Sequence, residues 1–442
     1  MTLDNHDGAH ADPSIFAPDF REQPYWWDAA PRPSLPPRQL PRRVDVGIVG
    51  SGHTGLVAAL TLARVGRSVA VFEAADPGHG ASSRNAGYAG RSLKHSFGEL
   101  LERHGTERAV TVYRDMRAAF DWLFTLVEQE QIACKLVHCG RFIGALSSRH
   151  YEGMAREYEL RRRHLGEEFE MLPPEEVHRE LGSDHYRGGA LIPDHGSLHP
   201  GLYHLGLLDR AISAGVEVHG RTAVVGIRRE SDGFSVATTR GAVTCRDVLV
   251  ATNGYVDKAT PWLRRRLVPF HGYIVATEPL RPGQLARILP HARTVIEFTH
   301  NIFFLRPSPD GERLLFGGYT GGPEPDLKRK AARLHAALLR ILPDLAGIRL
   351  SHAWSGKCAG TFDLYPHIGV HDGVHHALGY CFAGVPMGSW MGLKAARRIM
   401  GAPDAATAFD ALPFRTMPLY TGNPWFVPAV MKYWDWQDRR SL

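Results

Sequence analysis

Residues 44–73 constrain this chain more than any other stretch. They read VDVGIVGSGHTGLVAALTLARVGRSVAVFE. The apolar run 44–49 has the continuous hydrophobicity of a buried parallel strand. Gly50, Gly52 and Gly55 follow as G-x-G-x-x-G. Residues 56–65 are apolar at helical spacing, and 68–72 form a second β-branched strand that ends at Glu73. Strand, glycine turn, helix, strand and acid stand in the order a dinucleotide requires. Gly50 permits the tight turn, Gly52 lets the backbone approach a pyrophosphate, and Gly55 lets the helix pack close on the strand. The helix N-terminus offers free N–H groups and a partial positive charge to the phosphates. Glu73 can accept hydrogen bonds from both ribose hydroxyls. Its charge repels a 2′-phosphate, which argues against NADP.

The next residues choose among dinucleotides. Gly80-Ala81-Ser82-Ser83-Arg84-Asn85-Ala86-Gly87 is small, polar and bounded by glycine. With the glycine turn and the Phe72-Glu73-Ala74 strand end, it resembles the FAD-binding oxidoreductases of the D-amino-acid oxidase family. The likeness is greatest to the branch of γ-glutamylputrescine oxidoreductase, glycine oxidase and sarcosine oxidase. The resemblance runs in order over about residues 44–400 and implies FAD as cofactor. It implies that Ser82, Ser83, Arg84 and Asn85 pass beneath the pyrophosphate and flavin. It places residues 223–225, with Val224, over the adenine. It makes the Ala251-Thr252-Asn253-Gly254-Tyr255 strand end a third contact with the dinucleotide. The loop Gly384-Val385-Pro386-Met387-Gly388, with a helix over 389–400, falls at the flavin's pyrimidine edge. The whole cofactor shell implied is Gly50, Gly52, His53, Thr54, Gly55, Glu73, Ala74, Ser82 to Gly87 (including Ala86), Val224, Thr252, Asn253, Gly254 and Gly384 to Gly388.

The fold class implied is α/β: a Rossmann-type FAD-binding domain interleaved with a mixed α+β substrate domain. A Pro-rich arm, 1–43, precedes cofactor segments 44–96, 188–266 and 349–402, which alternate with substrate segments 97–187 and 267–348. An aromatic tail, 403–442, follows. The arm carries Tyr25, Trp26 and Trp27, which suit pinning to the body or to a neighbouring subunit, with a lid as the alternative. The tail's Trp425, Phe426, Trp434 and Trp436 suit docking or a subunit contact, with a membrane-surface role as the alternative. A homo-oligomer is compatible with both.

Composition narrows the partners. The chain has 442 residues and is 44% hydrophobic, ample for two domains. Lys and Arg number 52 against 46 acids, a net charge of +6 with no dominant basic block, which argues against nucleic acid. Five scattered cysteines without a Cys-x-x-Cys imply neither a disulfide framework nor a metal site. A reducing cytoplasm fits them. The first ten residues are polar, without the apolar region of a signal peptide, and no stretch approaches a membrane span.

The chemistry implied by the resemblance is oxidation of an amine or amino acid to an imine, by hydride transfer to flavin N5. Dioxygen or another acceptor then takes the electrons. The alternatives are a flavin dehydrogenase of a 2-hydroxy acid or proline-type substrate, and a structural-FAD subunit of a complex or RNA-modifying assembly. Catalytic candidates on strands that reach the flavin are His271, Tyr273, Tyr319 and Trp354, with His199 at a turn near the cofactor. Cys358 invites a covalent flavin link. Aligned on residues 361–363, however, the flavin-bearing cysteine of sarcosine oxidases falls at Gly356, so FAD is expected to be non-covalent. Their oxygen-activating lysine falls near Leu315-Phe316 and their carboxylate-gripping lysine near Gly388. Arg306 or Arg91 is left as the candidate for a substrate carboxylate.

Overall fold

The computed structural model describes residues 12–440 apart from Phe382 and Ala411, with the backbone alone at Arg439. The polar first ten residues therefore lie outside the described residues, as does Phe382, just before the 384–388 loop. Two sheets organise the molecule. The first is built on parallel strand Arg43–Val49, which lies between Val69–Phe72 and Gly241–Val250, with Val46 opposite Val69 and Ile48 opposite Leu249. Its Val and Ile side chains are buried on both faces, as parallel strands require. Glu217–His219 extends it on one side, and the hairpin Val224–Glu230 with Gly233–Thr238 on the other. Helices His53–Arg64 and Pro386–Ile399 pack on it in one apolar core with Leu56, Met391 and Ala396.

The second sheet has nine strands. Its order is Phe16–Arg21, Leu350–Thr361, Leu267–Thr277, Leu314–Gly321, Phe304–Pro307, Thr294–Glu297, Arg141–Gly144, Gly189–Ile192 and Glu170–Leu172. Helix Leu327–Ile341 covers it, its apolar stripe of Leu334, Leu338 and Ile341 meeting Val275 and Phe316. Among the described residues no helix is long and apolar enough to cross a membrane.

Several segments lie elsewhere than local pattern suggests. The arm supplies an edge strand, Phe16 pairing with Leu350. Segment 349–402 opens with Leu350–Thr361, which joins the nine-stranded sheet by pairing along the whole of Leu267–Thr277. Gly189–Ile192, at the head of segment 188–266, joins that sheet too. Helix Phe97–Gln129 of segment 97–187 packs instead into the first sheet's core through Phe97, Met116 and Leu123. Strand partners are chosen by distant register, which the local pattern does not carry. Val137 forms an isolated bridge with Ser197. A strand at Val374–Leu378 precedes the 384–388 loop, and the chain turns after it at Gly379 with φ 80°. The following helix starts at Pro386, whose fixed φ suits the first turn, so Met387 and Gly388 are helical rather than loop.

Candidate functional site

The ends of the first sheet's strands and one face of the second sheet enclose a cavity of about 440 Å³. At its inner end Gly50 takes φ 101°, a turn open to glycine, and its N–H bonds Phe72 O at 2.9 Å. A methyl group at Gly55 would stand 2.0 Å from Gly50 O, so the helix packs closer than any side chain allows. Gly52 caps that helix without a side-chain bond, leaving first-turn N–H groups for a ligand. His53 N–H donates to Ser82 Oγ at 3.0 Å. Glu73 is fixed by three donors: Ser51 N–H at 3.0 Å, Ser51 Oγ at 2.7 Å and Ala75 N–H at 3.1 Å. Its remaining lone pairs are free to accept more.

The loop 80–87 is clamped from behind by three indoles. Trp26 Nε1 donates to Asn85 O and Trp354 Nε1 to Arg84 O, each at 2.8 Å, and Trp27 Nε1 donates to Ser83 Oγ at 2.9 Å. Asn85 Nδ2 donates to Ala81 O at 3.1 Å and its Oδ1 accepts from Gly87 N–H at 2.8 Å. The Arg84 guanidinium lies 4.5 Å from the Trp27 ring and donates to His79 O and Ser355 O. The third motif is held by Asn253 Oδ1, which accepts from Gly379 N–H at 2.9 Å. The second helix, Pro386–Ile399, also lacks a side-chain cap. Thr54 Oγ1 donates to Gly388 O at 2.8 Å, so the two uncapped helix ends are tied together.

The cavity wall brings together Gly50, Gly52, His53, Thr54, Glu73, Ala74, Ser82, Arg84, Asn85, Ala86, Val224, Thr252, Asn253, Gly384, Val385 and Pro386. Gly55, Ser83, Gly87, Gly254, Met387 and Gly388 are not part of the wall. Two buried polar atoms of the wall, His53 Nε2 and Thr252 Oγ1, have no hydrogen-bond partner among the described residues, as ligand-facing atoms do. Burial pushes the His53 pKa down to about 4, so its ring is neutral at neutral pH. An uncapped helix end, an anchored acid beside it and these orphaned atoms together fit a dinucleotide such as FAD.

The outer part of the cavity is walled by Ile274, Ile296, Ile302, Phe304, Met431 and Trp434. Of the four catalytic candidates, Tyr273 lies in this wall; its hydroxyl donates to Gly322 O at 2.7 Å, and burial pushes its pKa up to about 12. His271, Tyr319 and Trp354 lie outside the wall. Trp354 is 1% exposed and serves the clamp. Tyr319 packs edge-on to Phe303 at 5.0 Å, and the His271 ring stands 6.5 Å from Tyr273. His199 caps helix Pro200–Ser213, its Nδ1 accepting from Leu202 N–H at 3.1 Å. Arg91 pairs with Glu167 at 2.6 Å, and Arg306 donates to the Ala86, Gly87 and Leu198 carbonyls, so neither faces the cavity. Two cations that the sequence did not single out do face it, Lys94 and Arg141. Arg141 opens a strand buried on both faces, where alternation cannot tell an inward charge from an outward one.

This geometry has known relatives. The family model described as "FAD dependent oxidoreductase" (DAO) matches residues 45–398. The "Probable oxidoreductase OrdL" of Rhizobium meliloti is 30% identical over 92% of this chain and 94% of its own length. The "Gamma-glutamylputrescine oxidoreductase" of Escherichia coli is 29% identical over 85% of this chain and 88% of its own. The crystal structure of glycine oxidase from Geobacillus kaustophilus superposes with a TM-score of 0.73 at 25% identity, covering 86% of this chain and 99% of that one. A match spanning the glycine turn, the clamped loop and both uncapped helices makes this chain a member of the DAO family of FAD-dependent oxidoreductases.

Proposed function

We propose that this chain oxidises the C–N bond of an amine or amino acid, with FAD held non-covalently and reoxidised by dioxygen or another acceptor. The observation that carries the reading is the continuity of one cleft from the glycine turn to an apolar chamber rimmed by cations. Relatives whose names specify a γ-glutamylated amine and glycine support the substrate class. The residues that would hold the cofactor are those of the inner wall: Glu73 for the ribose, the His53–Arg64 helix end for the pyrophosphate and the 82–86 loop beneath the ring. FAD, when bound, accepts the hydride at N5. The chain's task is then to orient the substrate and keep its nitrogen unprotonated. Lys94 and Arg141 on the wall disfavour a protonated amine. Isoleucines and Phe304 exclude water from the reacting carbon. The uncapped Pro386–Ile399 helix end would stabilise negative charge at the pyrimidine edge. Non-covalent binding is supported by Cys358, whose thiol burial pushes up to about 12, leaving little thiolate to form a link. We further propose that the two sheets are the cores of two interleaved domains, one for cofactor and one for substrate.

Product analysis tests the reading. Incubated with a panel of amines and amino acids plus an artificial electron acceptor, the enzyme should release ammonia or an amine and one carbonyl product per two electrons. Carbonyl formation from 2-hydroxy acids, with none from any amine, would contradict it.

A further inference from the structure

Uncovered apolar surface is concentrated near the end of the chain. Of the ten large apolar side chains exposed among the described residues, four lie between 419 and 436: Leu419, Trp425, Tyr433 and Trp436. Leu419 is 95% exposed at φ 61°, in a turn that the buried Tyr420 anchors by donating its hydroxyl to Leu267 O at 2.7 Å. On helix Val427–Arg440, residues Ala429, Lys432, Tyr433, Trp436 and Arg440 follow at i, i+3, i+4, i+7 and i+11, which makes one exposed stripe. The Tyr433 and Trp436 rings stack at 5.8 Å, and the Arg440 guanidinium lies 4.7 Å from the Trp436 ring. The opposite face belongs to the body. Met431 and Trp434 wall the cavity, and Asp438 accepts from the His300 and Asn301 N–H groups. Asp435 accepts from Asn301 Nδ2. Both acids of the helix are thus engaged by the 300–301 turn, and the charges of the stripe, Lys432 and Arg440, are cationic.

A single exposed apolar residue is ordinary, but a stripe that joins aromatics to cations marks a docking surface. Tyr and Trp favour the boundary between water and hydrocarbon, where ring and polar tip each meet a suitable medium. A protein partner fits less well. Lysine is depleted from protein interfaces, and one five-residue stripe is small beside the roughly 20–30 residues a side of a stable interface. Lipid headgroups conform to any relief, and an anionic headgroup layer complements Lys432 and Arg440. We infer that the tail docks this enzyme on an anionic lipid surface through the stripe of Lys432, Tyr433, Trp436 and Arg440. Because the other face of the same helix walls the cavity, docking sets the outer chamber one helix diameter, about 10 Å, from the headgroups. The inference concerns where the enzyme works and does not rest on the C–N reading.

The test is co-sedimentation of the full-length, flavin-loaded enzyme with vesicles of phosphatidylcholine alone and of phosphatidylcholine with phosphatidylserine. The enzyme should sediment with the phosphatidylserine vesicles, stay in solution with phosphatidylcholine alone, and be released as salt is raised. Lys432→Gln should weaken partitioning by roughly 5-fold, the share of one cation near a charged surface. The double variant Tyr433→Ser, Trp436→Ser should weaken it by roughly 10-fold or more, through lost apolar burial. These side chains are exposed, so flavin content and melting temperature should match the wild type and exclude misfolding as the cause. Three results would overturn the inference. One is wild-type enzyme that ignores the phosphatidylserine vesicles or binds both kinds equally. Another is a double variant that partitions as the wild type does. The third is a wild-type dimer in light scattering that the double variant dissociates, with no vesicle binding, since the stripe would then be a contact between two copies of the chain.

Discussion

Glu73 and the buried histidines around the glycine turn set the residue-scale behaviour. Glu73 ties down the Ser51 N–H and hydroxyl, so it shapes the turn in addition to the ribose contact proposed for it. Glu73→Ala should weaken FAD binding by about 10- to 100-fold, read by titrating apoprotein with FAD and following flavin fluorescence. Burial also depresses the pKa of His53 to about 4 and of His204 to about 3. In the unfolded chain each takes up a proton near the ordinary value of 6.5. Below that value the unfolded state binds protons that the folded state does not, so stability must fall as pH falls. The slope is up to about 1.4 kcal/mol per pH unit for each histidine. For His53 the loss is complete once pH passes below about 4. His204 Nε2 contacts Ser51 O at 2.8 Å, a bond that glutamine can also make. His204→Gln should therefore flatten the dependence of melting temperature on pH in this window; an unchanged slope would show that His204 is not among the groups responsible.

At the scale of elements, two terminal segments close the site. The arm clamps the 80–87 loop through Trp26, which is fully buried, and Trp27. Trp26→Ala should cost about 3–5 kcal/mol of stability, visible as a lowered urea midpoint, and should speed FAD loss. The tail helix Val427–Arg440 brings Met431 and Trp434 into the cavity wall. Asp438 holds it there by accepting from His300 Nδ1 at 2.7 Å and from the His300 and Asn301 N–H groups. Burial works against the Asp438 charge, but these donors keep its carboxyl below the usual range. Asp438→Ala should release the helix, with faster proteolytic cleavage after residue 420 and an altered KM; an unchanged cleavage rate would contradict this docking. The glycine turn and its flanking strands were legible in sequence because backbone geometry there admits few residue types. The indole clamp was only half legible: the aromatics announced a docking arm, but not what they would hold. Strand Val374–Leu378 was hidden because His375 and His376 read as polar although His376 is buried. Arg141 was hidden because its strand alternates nothing.

At the scale of the molecule, one sheet carries the glycine-turn end of the cleft, the end proposed for the cofactor, and the other walls its outer chamber. The central parallel strands could be read from local pattern, since each ends in an apolar run, 46–49, 69–72 and 248–250. Assignment of Leu350–Thr361 to the second sheet could not, since it depends on pairing with a strand about 80 positions earlier in the chain. The same non-local pairing makes the two sheets interdependent, because chain 189–361 crosses between them repeatedly. The most direct test of the whole account is anaerobic mixing of the purified, flavin-loaded enzyme with amines, amino acids and 2-hydroxy acids. The account predicts that the flavin's visible band bleaches with an amine or amino acid and returns when an acceptor is admitted. Bleaching by a 2-hydroxy acid alone, or by no compound in the panel, would contradict it.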